Sequence, residues 1–371
     1  MKDNRILALI SAHNPENDLI DFIRDLSLND IDALVVNDGS DSEYEELFTK
    51  IESEGNEVLR HAKKMGSGRA LKTAINHMLN QDNLPPYTGI VVTTADAITG
   101  IESVLRLEKE IITHPNNILL ARQNVNYDNV RLQDKLFNRF TSFTTSWIYG
   151  KRIVDNFTKL RAYPMNIIDQ ILETQGEGVD LEARFLAKAM GEGIQVREVR
   201  IDNNYHTEKT GTEHILEKMK VLKELANPFI KYLSASLVTA LAELTLFKIF
   251  TTLFAFFNLE KGLGFIFTSV LLAKLATTLL NIVLNRNYKY KGSGRKKVTF
   301  YKHSIINFIK AALSSYLIIE VMNRFGYDEI SSKILVDIVL FLLFYKIVYH
   351  WVFSKPNKEN KGKKLWLRKK K

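Results

Sequence analysis

The decapeptide VVTTADAITG, Val91 to Gly100, ends an apolar run in a single carboxylate, Asp96. A carboxylate at the end of a buried strand suits magnesium or manganese, which take oxygen ligands and keep several waters. The same residue also fits a plain strand-end cap. Two further clusters pose similar alternatives. NDGSDS, from Asn37, offers Asp38 as a ligand-binding carboxylate or as an ordinary turn residue. Gly66 and Gly68, in KKMGSGRA, form a Gly-x-Gly step that is either a tight turn or a phosphate cradle.

Each cluster follows a short apolar run, and helical periodicity follows each cluster. Ile6 to Ser11 reads as a strand, then comes HNPEN and an amphipathic stretch through Leu19, Ile20, Phe22, Ile23 and Leu26. Ala33 to Val36, Val58 to His61 and Gly89 to Thr93 repeat the pattern. Alternation of this kind predicts an α/β domain with a Rossmann-like, mixed but mainly parallel sheet and crossover helices. Ligands of such sheets bind beyond the carboxyl ends of the strands, where these clusters lie.

The chain has 371 residues, 46% of them apolar, enough for two or three domains. It has no cysteine, which excludes disulfides and thiolate metal sites. MKDNRILALISAHN is too short in its apolar run for a signal peptide. The net charge of +9 would suit nucleic acid, but its location argues against that partner. Basic residues gather from Arg286 to Lys302 and in the tail, 355–371, both beside hydrophobic runs, as in proteins that meet anionic lipid.

After Pro228 the composition shifts. A soluble domain over 1–226, its residues 213–227 a juxtamembrane amphipathic helix, gives way to an all-α transmembrane domain over 227–354. A membrane helix needs about 20 mostly apolar residues. Four segments meet or approach this, at about 229–257, 263–284, 305–322 and 334–353. The basic connection around Arg295 to Lys297 and the tail place both termini in the cytoplasm, so the chain is expected to be a multi-pass protein of the plasma membrane. Glu243, Lys248, Lys274, Lys310, Glu320, Asp337 and Lys346 lie within the spans and should face one another or a polar path, or snorkel. Phe137, Phe140, Phe143, Trp147 and Tyr149 suit either core packing or a membrane-boundary helix.

Taken in order, LISAHNPEND, VVNDGSDS, HAKKMGSGRALKTAINH and VVTTADA resemble the amino-terminal half of family 2 glycosyltransferases of the GT-A fold. RQNVNYDNVRLQDKLFNRF, DNFTKLRAYP, GEGVDLEARFLAKAM and VREVRIDNNY look like the acceptor half of polyprenyl-phosphate sugar transferases. NPFIKYLSASL and LLNIVLNRNYKYKG, with Asn281, Asn285, Arg286 and Tyr288, are similar to GtrA-like four-span domains. The resemblance implies transfer of a sugar from a nucleotide-sugar donor to a polyprenyl phosphate of the undecaprenyl or dolichyl type, for cell-envelope glycan or glycolipid modification. A homo-oligomer is left open. Two other functions stay in view: a catalytically degenerate transferase acting as regulator or scaffold, and translocation of a lipid-linked sugar by the membrane half.

The resemblance also implies roles. Asn14 and Pro15 would shape the first donor turn, Asn37 and Asp38 would meet base and ribose, and Gly66 and Gly68 would admit the nucleotide. Asp96 would bind magnesium or manganese and act in catalysis; without gaps Thr94 stands where the family has its first aspartate and Ile98 where it has glutamine, while a deletion that shifts the register by two would make Asp96 the first aspartate. Arg122 and Asp155 are further catalytic candidates. Arg122, Arg131, Lys135 and Arg161 are candidates for the acceptor phosphate, which needs cations more than a base. Lys159 replaces the usual glycine of its motif, and HTEKTGTEH, with His206 and Lys209, replaces the usual acceptor loop after Tyr205.

Overall fold

A computed structural model of the protein describes residues 5–123, 132–201, 212–257, 263–289 and 296–347. Arg131, Tyr205, His206, Lys209 and the tail 355–371 lie outside the described residues, as do the side chains of Asn281, Asn285, Arg286 and Tyr288. The chain divides into two compact units, Met1–Ala226 and Asn227–Lys371.

The first unit begins with β1 (Arg5–Ala12), α1 (Asp18–Leu28), β2 (Asp32–Asn37), α2 (Glu45–Ser53) and β3 (Glu57–Arg60). It continues with α3 (Ser67–Leu79), β4 (Tyr87–Thr94), α4 (Ile101–Thr113), β5 (Ile118–Gln123) and α5 (Leu132–Tyr149). β6 (Arg161–Pro164), the one-turn α6 (Asp169–Leu172), α7 (Val179–Gly191) and β7 (Val196–Ile201) complete it. The described strands form one sheet in the order β3-β2-β1-β4-β6-β5-β7. The mixed, mainly parallel sheet agrees with the sequence reading: β3, β2, β1 and β4 run parallel, and β6 is antiparallel to β4 and β5.

Five successive residues of β1, Ile6 to Ile10, are buried, which is what a central strand covered on both faces requires. α1 covers it with Leu19, Ile20, Phe22, Ile23 and Leu26, and α4 adds Val104, Leu107 and Ile111 to the same core. From β1 the chain winds outward to β2 and β3, then returns to β4 on the other side of β1. That reversal opens a crevice at the carboxyl ends of β1 and β4.

The second unit is helical. α8 (Thr212–Phe256), which carries Pro228 inside it, runs into this unit and is followed by α9 (Leu263–Lys289), α10 (Lys296–Phe325) and α11 (Glu329–Ile347). Each expected span falls on one helix, although residues 348–353 of the fourth lie outside the described ones. Among the described residues, Ile215–Phe256 and Ser304–Phe325 are long and apolar enough to cross a membrane, and Gly264–Thr278 is a shorter apolar stretch. α11 carries Lys333 and Asp337, which interrupt its apolar run.

The ionisable residues of these helices do not share one fate. Glu243 accepts from Lys274 Nζ at 2.6 Å and from Lys333 Nζ at 2.8 Å, and Lys333 also reaches Asp337 at 2.6 Å. Lys333, which the span boundaries had left outside the fourth helix, is 1% exposed. Lys310 lies over the Phe344 ring, Glu320 pairs with Arg324 one turn on, and Lys248 is exposed. Ser269, Ser314 and Ser315 are buried, while Leu237, Leu241, Ile305, Phe308, Ile338 and Leu343 are exposed. These buried polar groups sit beside an apolar core that includes Phe247, Phe265, Val270 and Ile318, under an outer surface with many large apolar side chains.

Candidate active site

The crevice is lined by the loops after β1 and β2, and they are tied together. Asn14 takes a left-handed backbone conformation, φ 49°, which asparagine tolerates better than most residues. Its N–H donates to Ser40 Oγ at 2.9 Å, its Nδ2 to Asp41 Oδ2 at 2.8 Å, and its Oδ1 accepts from Asp41 N at 2.9 Å. Asn37 Oδ1 accepts from Ser40 N at 2.8 Å, and Pro15 is buried behind the turn. Asn14, Pro15 and Asn37 therefore fix the shape of the loops.

Asp38 is turned into the protein. Its Oδ1 accepts from Met65 N and meets His61 Nδ1, and its Oδ2 accepts from Gly66 N, each at 2.8 Å. His61 Nε2 lies 2.9 Å from Thr73 Oγ1. A carboxylate beside Nδ1 assigns the proton to that nitrogen and leaves Nε2 to accept from the threonine. Asp38 thus holds the loop 61–66 onto the end of β2. The carboxylate expected at base and ribose is engaged in this brace.

The two glycines are explained by protein backbone. A Cβ on Gly66 would stand 2.7 Å from Glu177 O, and one on Gly68 would stand 2.6 Å from Gly178 O. Arg69 N donates to Glu177 O at 2.8 Å across the same contact. Gly66 and Gly68 let the start of α3 lie against the segment leading into α7.

At the end of β4, Thr94 Oγ1 donates to Asp96 Oδ1. Lys159 Nζ approaches both oxygens of Asp96, at 3.2 and 3.0 Å. The sheet dictates this meeting. β4 and β6 pair antiparallel with Val92 opposite Arg161, so two residues farther on Thr94 stands across from Lys159. Among the described residues no group of three or more His, Cys, Asp or Glu could hold a metal ion. Among the described residues the donor set at Asp96 fits a divalent ion poorly: one carboxylate, already engaged by a hydroxyl and an ammonium, outside any group of three such ligands.

The acceptor-side candidates are not gathered at one point. Arg161 is 4% exposed; its Nε lies 3.0 Å from Glu182 Oε2 and 2.8 Å from Thr158 O, and its Nη2 is 3.3 Å from Asn156 O. It braces the turn before β6. Asp155 Oδ1 accepts from Phe157 N at 3.0 Å. Burial pushes the Asp155 carboxyl up from its ordinary pKa, against the downward pull of that N–H and of the Arg161 charge. Arg122 stands on β5, and β6 separates β5 from β4, which puts about 10 Å of sheet between the two strands. Lys135 is half-buried on α5.

The α5 aromatics divide. Tyr149 is buried and donates to Leu225 O at 2.8 Å, and the Phe137 ring lies 5.7 Å from that of Phe157. Phe140 and Phe143 are exposed with Leu136, on positions one turn apart. Sequence reasoning read His61 only as the end of a strand and Lys159 only as a departure from a motif. A histidine directly after β3, beside the glycine loop, was the available signal for the first. The second depended on a strand pairing across more than sixty residues.

Residues 8–172 match the family profile of glycosyl transferase family 2. The uncharacterized protein MJ0544 of Methanocaldococcus jannaschii is 26% identical over 227 residues, covering 58% of this chain and 96% of that protein. Mannosyl-3-phosphoglycerate synthase from Rubrobacter xylanophilus is similar in structure, with TM-score 0.47 and 15% identity over 60% of this chain and 73% of that one. Glucosyl-3-phosphoglycerate synthase from Mycobacterium tuberculosis, solved with Mn2+, UDP-glucose and glycerol 3-phosphate, gives TM-score 0.47 and 14% identity over 60% and 79%. GalNAc-T7 with UDP, GalNAc and Mn2+ gives TM-score 0.40 and 11% identity over 64% and 51%. The similarity to glycosyl transferase family 2 thus lies within the amino-terminal unit, over residues 8–172, and supports a transferase.

Proposed function

We propose that the protein moves a sugar from a nucleotide-sugar donor to a polyprenyl phosphate at the cytoplasmic face of the plasma membrane. The single observation that carries the choice of a lipid acceptor is the make-up of the second unit, in which buried Lys274 and Lys333 pair with half-buried Glu243 and many large apolar side chains are exposed. The four helices are read as a GtrA-like membrane domain with both termini in the cytoplasm, which the basic residues flanking the helices support. The exposed Leu136, Phe140 and Phe143 of α5 suit a headgroup boundary.

In this reaction an oxygen of the acceptor phosphate attacks the anomeric carbon. The bond from that carbon to the donor's terminal phosphate oxygen breaks, and its electron pair leaves with the nucleoside diphosphate. The acceptor phosphate is already ionised near neutral pH, so the site has no need of a strong base. Its needs are orientation and positive charge around the leaving diphosphate. Asn14, Asn37 and Asp38 shape the donor crevice through the loops they hold. Arg122, with Asp155, is assigned to the acceptor side, and Arg131 and Lys135 are the further cations toward it.

Membranes containing the protein, given radiolabelled nucleotide sugars and undecaprenyl phosphate, should move label from the aqueous into the organic phase for one donor. Label that stays aqueous for every donor counts against transfer. It favours the alternative of a catalytically idle domain that binds nucleotide sugar as a regulator or scaffold, a reading to which the pairing of Asp96 with Lys159 lends some support. Translocation of a lipid-linked sugar by the second unit is the other alternative, and it draws on the buried charges there.

A further inference from the structure

We propose that the ammonium of Lys159 binds the donor diphosphate in place of a divalent ion, held in position by Asp96, so that donor binding is independent of metal. This rests on the nucleotide-sugar reading of the same crevice and goes beyond it in naming the group that meets the diphosphate.

The Asp96 carboxylate is committed. Oδ1 accepts from Thr94 Oγ1, and both oxygens lie within 3.2 Å of Lys159 Nζ. A magnesium ion demands oxygen ligands at about 2.0–2.1 Å in near-octahedral order. To bind at Asp96 it would have to displace the ammonium or sit beside it against direct repulsion. Among the described residues, the Asp96 carboxylate meets one cation, Lys159. Two carboxylates with a dication sum to zero charge, and so do one carboxylate with one ammonium. Thr94 supplies a hydroxyl in the neighbouring place, which adds no negative charge.

Lys159 is also held, unlike an ordinary surface lysine. The antiparallel register of β4 and β6 sets it across from Thr94. On the chain around it, Arg161 binds Thr158 O and Asn156 O from a buried ion pair with Glu182, and Thr158 Oγ1 donates to Leu160 O at 3.3 Å. The side chain remains 26% exposed. An ammonium has three N–H donors, and two directed at Asp96 leave one for a phosphate oxygen. Such a charge-assisted bond is among the stronger ones available to a leaving diphosphate. Lys159 gives up no proton in the step. The leaving group departs with the electron pair of the broken bond, and the ammonium stabilises its charge by hydrogen bonding alone.

A purely structural ion pair predicts a different result, because partly exposed pairs contribute little and would leave nucleotide binding alone when removed. The test is equilibrium binding of UDP, GDP, ADP, CDP and dTDP to the purified full chain, in excess EDTA and again with added magnesium or manganese. The proposal expects at least one of these to bind in EDTA, with an affinity that added ion does not improve. Lys159→Met, which keeps the aliphatic stem and guards against a folding defect, should weaken that binding about 10- to 100-fold. Lys159→Arg should recover most of the loss. Binding that requires added ion overturns the proposal and leaves the nucleotide-sugar reading intact. Binding in EDTA that Lys159→Met does not weaken overturns it as well. No binding of any of the five under either condition overturns the proposal together with the reading on which it rests.

Discussion

Replacing Asp38 with asparagine tests whether the donor crevice is built by a carboxylate directed at its own loop. In the wild type Oδ1 serves Met65 N–H and His61 Nδ1, while Oδ2 serves Gly66 N–H. Asparagine has one acceptor oxygen. If it keeps Met65 and His61, its NH2 faces the Gly66 N–H, donor against donor. Losing a hydrogen bond to a charged group costs about 1.5–3 kcal/mol, and leaving a buried donor unsatisfied about 1–3 kcal/mol. A combined loss of about 3 kcal/mol makes local opening of loop 61–66 roughly 100-fold more frequent. Hydrogen exchange of the full chain should therefore show protection at Met65 and Gly66 falling by about that factor, with β1 unaffected. Nucleotide affinity should fall with it. Unchanged protection in the variant would refute the argument, and lost nucleotide binding with unchanged protection would return Asp38 to direct contact with base or ribose.

Further expectations concern other parts of the domain. Gly68→Ala places a Cβ within 3 Å of the backbone at Glu177 and Gly178. Overpacking of about 1–3 kcal/mol against a helix-propensity gain of about 1 kcal/mol predicts a net loss, read as a lower thermal midpoint; an equal or higher midpoint would show that the α3–α7 approach is not tight. The raised pKa of Asp155 means the fold favours its protonated form: that contribution is present below the ordinary carboxylate range and is lost as pH rises through the raised value. Asp155→Asn should therefore equal or exceed the wild type in thermal stability near neutral pH, the advantage vanishing in acid, while sugar transfer falls; a variant less stable at neutral pH contradicts the sign. Arg122→Ala should raise the KM for polyprenyl phosphate about 10-fold or more and leave nucleoside diphosphate affinity nearly intact; equal loss of both would put Arg122 on the donor side.

Much of the framework is written locally. Runs such as LALISA and GIVVTT announce strands because a strand between two helical layers buries successive residues, five in each of β1 and β4. Polar clusters after those runs mark the carboxyl edge of the sheet, and the crevice is there. What local pattern could not carry was direction. A carboxylate after a strand can face a ligand or its own chain, and Asp38 faces its own chain because two backbone N–H groups and an imidazole need it. Gly66 and Gly68 advertise a close approach without saying to what, and the answer is the Glu177–Gly178 backbone more than 100 residues away. Arg161 reads as a free cation in KLRAYP, yet Glu182 on α7 captures it. Lys159 looked like a defect in a motif until the β4–β6 register set it against Asp96. Each of these depends on a tertiary pairing that no spacing within the segment records.

The central claim, a sugar transferred to a lipid phosphate by a crevice whose fixed cation is Lys159, is tested most directly by product analysis with the purified full chain. The protein would be given undecaprenyl phosphate and each of a panel of nucleotide sugars in excess EDTA, and the lipid extract examined by mass spectrometry. The account predicts a new species for one donor, heavier than the acceptor by one sugar residue and joined through the phosphate, formed at a rate that added magnesium or manganese does not raise. No sugar-bearing lipid from any donor would contradict the transfer itself, and a product formed only when divalent ion is restored would contradict the role given to Lys159.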